Sequence, residues 1–93
     1  MHFTRPGNRH VFDVNLIDFA DRVIAASHQL PVLVDFWADW CAPCRVIAPN
    51  LEKAVEERNG EVKLAKLEVD EGENMKLAGR YNVRGFPTIM MFR

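Results

Sequence analysis

The amino-acid sequence predicts an α/β domain in which a central β-sheet carries helices on both of its faces. Segments with the apolar pattern of strands alternate with segments of helical spacing, in the order β-α-β-α-β-α-β. Residues 32–38 (VLVDFWA) are apolar at every position but one, which is typical of a central strand buried on both faces. The chain has 93 residues, 48% of them hydrophobic, which suffices for one domain with a thin core. We therefore expect a single domain over residues 1–93, with residues 1–9 as an N-terminal extension.

Four short segments are predicted to be strands. Each has an apolar or alternating pattern and is bounded by turn-forming residues or by a helical segment. They cover residues 10–14 (HVFDV), 32–38 (VLVDFWA), 62–69 (VKLAKLEV) and 88–92 (TIMMF).

The first predicted helix follows the first strand. Starting at Leu16, apolar residues recur at i, i+3, i+4, i+7 and i+8, which places them on one helix face. Asn15 is a good N-cap, with Asp18 three residues on. Residues 28–31 (HQLP) end the helix, because proline and the residue before it both disfavour the α conformation.

Two more helices are predicted further along the chain. One follows the cysteines, contains Pro49, which should kink it, and stops at residues 59–60 (NG). The other covers residues 74–81, with Asn74 as its N-cap. A turn at residues 85–87 (GFP) leads into the last strand.

Charge and hydropathy exclude several classes of function. Twelve Lys and Arg residues against 13 Asp and Glu residues give a net charge of -1, so the chain lacks the basic field that nucleic acid or an anionic membrane selects. No run of about 18 apolar residues could span a bilayer. Residues 1–8 (MHFTRPGN) have no apolar run behind them, so we do not expect a signal peptide there. We expect a cytoplasmic location.

Both cysteines lie in one C-x-x-C pair, Cys41 and Cys44, which has three interpretations. A structural zinc site usually needs four ligands, and the three histidines of the chain are widely scattered. A structural disulfide gains little by closing so short a loop. A redox pair fits best, because the cysteines follow a buried strand and open a helix, where backbone N–H groups and the helix dipole stabilise a thiolate. No metal is expected.

Two charged residues in the predicted strands are candidates for proton chemistry. Asp35 is the only charge within its apolar strand, and an unpaired buried carboxylate has a raised pKa that makes it a usable base. The alternative is a structural carboxylate with satisfied hydrogen bonds. Lys66, taken alone, is a strand lysine with its ammonium group in solvent.

Three segments, in the same order along the chain, resemble the thioredoxin family. VLVDFWADWCAPCRVIAP (residues 32–49) looks like its active-site segment, and AKLEVD (residues 65–70) and YNVRGFPT (residues 81–88) are similar to later segments. The resemblance covers nearly the whole chain from about Val11. It implies a thioredoxin-like fold with a central mixed sheet, with four of the family's five strands and three of its four helices. The unpaired last strand then invites self-association through the open sheet edge.

The resemblance implies roles for four residues. Cys41 would be the exposed thiolate that forms a mixed disulfide with a target protein, and Cys44 would resolve it. Asp35 would take the proton from the resolving thiol. Lys66 would lie near Asp35 and tune it electrostatically.

Five further residues would form the substrate-binding surface. Trp40 would border the groove on which substrates dock, and Pro43 would hold the spacer rigid. Ala42 stands where the family usually has glycine, and spacer residues help to set the redox balance. The Phe86–Pro87 bond would be cis, and the backbone before the proline would pair with a substrate strand.

The resemblance therefore implies a thiol–disulfide oxidoreductase that reduces protein disulfides, needs no cofactor and receives electrons from thioredoxin reductase. A second interpretation comes from VIAASHQLPVLVDFWADWCAPC (residues 23–44). This segment is also similar to bacterial thioredoxin-like domains that head a helical-repeat region. Such proteins act as chaperone partners that bind clients, with secondary or no redox activity.

Overall fold

The computed structural model of the chain describes residues 10–93, so the predicted N-terminal extension, residues 1–9, lies outside the described residues. The strands are β1 (Val11–Val14), β2 (Val32–Trp37), β3 (Lys63–Glu68) and β4 (Thr88–Phe92). The helical segments are a π-helix (Ala20–Ala25), a 3-10 turn (Ala26–His28), α1 (Ala42–Glu57) and α2 (Met75–Arg80). The predicted order of elements is confirmed. Within residues 10–93, no helix is long and apolar enough to cross a membrane.

The four strands form one mixed sheet in the order β1-β3-β2-β4. β1, β3 and β2 are parallel, and β4 runs antiparallel to β2. The register places Asp13, Lys66, Asp35 and Ile89 side by side across the sheet, one from each strand. Because side chains alternate between the faces of a sheet, these four share one face.

That face is covered by α1. Leu51 and Val55 of α1 pack against Val11 of β1, Leu64 of β3 and Leu33 of β2. Val11, Val55 and Leu64 are almost fully buried. α1 therefore lies over the β1 and β3 side of this face and covers the side chain of Lys66.

The opposite face is covered by the remaining helices. Phe19 and Val23 pack with Leu77 of α2 and with Val34 of β2 in the larger apolar cluster. The Phe19 ring meets the Phe92 ring edge-on at a centroid distance of 5.7 Å. Helices thus cover both faces of the sheet, as the sequence predicts.

The first helix differs from its prediction in start and in type. Asn15 Oδ1 accepts hydrogen bonds from the backbone N–H groups of Ile17 and Asp18, and Asp18 Oδ1 accepts the N–H of Asn15 at 2.8 Å. This reciprocal bonding caps the turn that leads into the helix, whereas the N-cap position of the observed helix is Phe19 instead of the predicted Asn15. The turns that follow take π geometry over Ala20–Ala25, with wider i→i+5 hydrogen bonding. The predicted α-helical face is therefore not kept, and Ile24 is 38% exposed.

Asn74 occupies the predicted N-cap position of α2, but its side chain does not cap the helix. Its side chain makes no capping hydrogen bond and is fully buried. Asn74 Oδ1 instead accepts the backbone N–H of Leu16, and Nδ2 donates to the carbonyl of Glu68, both at 2.8 Å. The residue ties the segment after β1 to the end of β3, because a buried polar group must find partners wherever the fold supplies them.

Candidate functional site

The candidate site lies in the connection between the end of β2 and the start of α1. The chain leaves β2 at Trp37, and Cys41 is the N-cap of the 16-residue helix α1. Cys41 has an extended backbone conformation, and its Sγ accepts the backbone N–H of Cys44 at 3.2 Å. Pro43 lies in the first turn, where its missing N–H costs no helical hydrogen bond. The sequence thus places a sulfur atom where a helix normally receives a capping oxygen.

Cys41 and Cys44 are joined in a disulfide with their Cα atoms 5.3 Å apart. That separation is within the usual range for disulfides. Cys44 is 1% exposed and Cys41 4% exposed, so the expectation of an exposed Cys41 is wrong for this oxidised structure. Its sulfur faces Cys44 and the Cys44 amide rather than solvent. Residues 10–93 contain no group of three or more His, Cys, Asp or Glu side chains that could hold a metal ion.

Aromatic residues stand beside the disulfide at the surface. Trp40 is 64% exposed, and its indole Nε1 donates a 2.6 Å hydrogen bond to Asp70 Oδ2. The Trp40 ring meets the Phe86 ring edge-on, with centroids 5.9 Å apart. The Phe86–Pro87 peptide bond is cis, as the resemblance implies. Ala42, between the cysteines, is exposed.

Asp35 lies in the interior, in the middle of β2. It is 1% exposed, and its Oδ1 has no hydrogen-bond partner, which disfavours the alternative of a satisfied structural carboxylate. Burial raises the pKa of Asp35 to about 6, against the opposing effect of the Lys66 charge and with a further increase from Glu52. Oδ1 bonds to neither cysteine, so proton transfer from Cys44 stays a prediction.

Lys66 is buried, and the interpretation that places its ammonium group in solvent is wrong. The side chain is 3% exposed, and Nζ forms a 2.6 Å ion pair with Glu52 Oε2. Nζ also lies 5.5 Å from the centroid of the Trp37 ring. Lys66 is buried because β3 is an inner strand and α1 covers this face.

Glu52 is the residue of the site that the sequence analysis missed. Its side chain is 19% exposed and lies on the side of α1 that faces the sheet, where it pairs with Lys66. A signal was present in the sequence, because Cys44, Ala48 and Glu52 are spaced at i, i+4 and i+8 and therefore lie along one helix face. That face leads from Cys44 towards Lys66.

Comparisons with known proteins agree with this geometry. Residues 10–93 match the family model for thioredoxin. The chain is 41% identical over 86 residues to a thioredoxin of Pseudomonas aeruginosa, covering 92% of this chain and 76% of that protein. It is 48% identical over 75 residues to a thioredoxin of Thiocapsa roseopersicina, covering 81% and 78% of the two chains. A thioredoxin of Rickettsia bellii is 44% identical over 79 residues, covering 85% and 73%.

The match extends over both the fold and the reactive pair. It includes the strand that carries Asp35, the helix that begins at Cys41 and the cis proline turn at Pro87. A C-x-x-C disulfide at a helix start has the chemistry of thiol–disulfide exchange. The chain belongs to the thioredoxin family and is a thiol–disulfide oxidoreductase.

Proposed function

We propose that this oxidoreductase is a protein-disulfide reductase in which Cys41 attacks and Cys44 resolves. The observation that carries the proposal is the position of Cys41 Sγ, which caps α1 and accepts the Cys44 amide. The same amide and the helix dipole would stabilise a thiolate on Cys41 after reduction. Cys44 lies one turn into the helix, and both sulfurs are buried in the oxidised structure, so the assignment of the first attack to Cys41 rests on its position at the helix start.

The reaction balances in two exchange steps. The Cys41 thiolate attacks one sulfur of the substrate disulfide, which forms a mixed disulfide and releases a substrate thiolate that takes up a proton. Cys44 then loses its proton, and its thiolate attacks the Cys41 sulfur. The Cys41–Cys44 disulfide forms, and the second substrate thiolate leaves and is protonated. Two electrons pass from the pair to the substrate.

Asp35 is the proposed base for the second step. It is buried under the helix that carries Cys44, and its raised pKa makes the ionised form a competent proton acceptor near neutral pH. Lys66 is the proposed electrostatic partner of Asp35, paired with it in the register of β2 and β3. The proton returns to solvent before the next cycle.

The proposed substrates are protein disulfides, which would dock on the surface formed by Trp40, Ala42, Pro43, Phe86 and Pro87. Exposed aromatic area at Trp40 and the exposed spacer beside the disulfide support this assignment. Thioredoxin reductase is the proposed electron source, and the pair itself carries the electrons without a further cofactor. A reducing compartment such as the cytoplasm suits this direction of reaction.

A second copy of the chain is a further proposed partner. β4 is an edge strand among the described residues, and Met91 on it is 53% exposed. Edge strands present unpaired backbone groups on which another strand can pair. We infer that β4 is the contact strand for self-association.

The direct test is an insulin reduction assay in which NADPH and thioredoxin reductase reduce the Cys41–Cys44 disulfide after each turnover. The unmutated protein should turn over, and Cys41→Ser should abolish turnover because the attacking sulfur is lost. Val46→Ser is the matched control, since it introduces the same residue at an exposed position of α1. Absence of turnover in the unmutated protein would overturn the proposal, and client binding without turnover would favour the chaperone interpretation.

A further inference from the structure

One ammonium group faces several carboxylates beneath α1. Lys66 on β3 lies between Asp13 of β1 and Asp35 of β2 in the sheet register, and Glu52 approaches the same face from the helix above. Asp13 is exposed, whereas Asp35 and Lys66 are buried. The buried carboxylate of Asp35 and the partly buried carboxylate of Glu52 therefore share one ammonium group, and the way Lys66 is placed between them decides how well Asp35 is compensated.

Lys66 forms an ion pair with Glu52 in the structure. Glu52 Oε2 and Lys66 Nζ are 2.6 Å apart, and their side chains are 19% and 3% exposed. A pair so short and so poorly solvated is held far more firmly than a surface pair, because solvent screens it little. Asp35 Oδ1, by contrast, has no hydrogen-bond partner.

We propose that Glu52 is a positioning residue of the redox site, whose carboxylate holds the Lys66 ammonium group and thereby leaves Asp35 undercompensated and ready to carry a proton. This inference rests on the proposed role of Asp35 as the base for Cys44. In this inference, Glu52 contacts neither cysteine during the exchange, but it sets the proton affinity of Asp35, the proposed base for Cys44.

The groups around Asp35 give the direction of the effect. Lys66 faces it from β3, Glu52 and Cys44 belong to α1, Asp13 lies beyond Lys66 on β1, and the β4 neighbour, Ile89, is uncharged. Removing the Glu52 charge takes away a negative charge that raises the pKa of Asp35. It also frees the Lys66 ammonium group to compensate Asp35. Both effects lower the pKa.

The test is a carboxyl ¹³C NMR titration of Asp35 in the oxidised protein, comparing the unmutated chain with Glu52→Gln. The amide is nearly isosteric with the carboxylate, and the midpoint should fall by about half a pH unit or more. Glu57→Gln is the matched control, because Glu57 belongs to the same helix and is exposed. The Asp35 midpoint in Glu57→Gln should equal that in the unmutated protein.

A double-mutant cycle separates positioning from simple charge removal. Lys66→Met should raise the Asp35 midpoint, and Glu52→Gln should then shift it far less, because the ammonium group through which Glu52 acts is gone. An unchanged or raised midpoint in Glu52→Gln would overturn the inference. So would an equal shift with and without Lys66, which would make Glu52 an independent charge.

The titration requires no turnover, so its result is separate from that of insulin reduction. In the reduced protein, the acidic limb of the pH profile for reduction should move to lower pH in Glu52→Gln and stay in place in Glu57→Gln. If Glu52→Gln reduces insulin and the acidic limb of its pH profile does not shift, the proposed function would stand and the role of Glu52 would be refuted.

Discussion

The indole Nε1 of Trp40 donates a 2.6 Å hydrogen bond to Oδ2 of Asp70, which joins the segment before α1 to the loop after β3. The bond fixes an exposed ring whose edge-on neighbour is Phe86. The loops that carry Trp40, Asp70 and Phe86, which are distant in sequence, thereby form one continuous surface beside the disulfide.

Asp70→Ala should weaken binding of protein substrates while leaving the sulfur chemistry intact. Without its acceptor, the Trp40 ring loses its fixed orientation, and KM for insulin should rise by about threefold to tenfold, as expected for a partly solvated charge-assisted hydrogen bond. The rate with a small aromatic disulfide should be unchanged. Glu71→Ala, which removes an adjacent exposed carboxylate, is the control. Equal effects of the two variants on KM would assign the change to net charge.

Asp35→Asn should stabilise the fold at neutral pH. The folded pKa of about 6 exceeds the ordinary value of 3.8, so the native state binds this proton more tightly than the unfolded state does. The free energy of unfolding therefore falls as pH rises from about 4 to 6 and levels off above, a loss of about 3 kcal/mol at pH 7. The variant should recover most of that loss at pH 7 and little at pH 3.5.

Urea unfolding at both pH values measures this difference. Asp21→Asn, at an exposed position of the π-helix, should show no comparable gain at pH 7. A gain for Asp35→Asn of the same size at both pH values would contradict the titration as its cause.

Cys44→Ser should accumulate a mixed disulfide between Cys41 and a substrate cysteine. The attacking sulfur is kept while the resolving sulfur is absent, so the first exchange step occurs and the second cannot. Mass spectrometry after incubation with a disulfide-containing protein should show the covalent adduct, and added thiol should release it. Cys41→Ser should give none, since the sulfur at the start of α1 is then absent. Adduct formation through Cys44 would reverse the two assigned roles.

Asn74→Ala should destabilise the protein by about 2 kcal/mol, because it leaves a partly buried N–H and a partly buried carbonyl without their partners. These are the groups of Leu16 and Glu68 that the Asn74 side chain now satisfies. Asn50→Ala is the control, since Asn50 is exposed on α1. Comparable denaturation midpoints for the two variants would refute the bridging role.

Met91→Lys should reduce self-association through β4. A charge on an edge strand opposes pairing with a second copy, and Met91 is already exposed, so the fold itself should tolerate the change. Sedimentation velocity over a concentration series measures the effect. Thr88→Lys, at the other end of β4, tests whether the whole strand takes part. A concentration-independent monomer for the unmutated chain would eliminate this contact.

Local patterns were sufficient for most of the fold and for the reactive pair. The alternation of strands and helices, the apolar run around Asp35 and the C-x-x-C pair at a helix start are all features of contiguous sequence, and the structure confirms each of them. The family resemblance is confirmed as well. The roles assigned to the individual site residues stay predictions.

The errors concern residues whose partners are distant in sequence. Asn74 looks like a helix cap, but the acceptor it supplies is for Leu16, 58 positions away. Lys66 looks like a solvent-facing charge, because nothing near it in sequence shows that Glu52 pairs with it. Hydrogen bonding and ion pairing across the fold override local preference once the groups are buried.

Cys41 Sγ is both the acceptor that begins α1 and the atom that changes bonding partners in each exchange step. The first turn of the helix is consequently held by a disulfide sulfur in one state, by a thiolate in another and by a substrate-linked sulfur in the third. Hydrogen–deuterium exchange at the Cys44 amide should differ among these states, being slowest opposite the thiolate. The exchange rate of the Cys44 amide would thus report which of the three states the protein occupies, without any attached label.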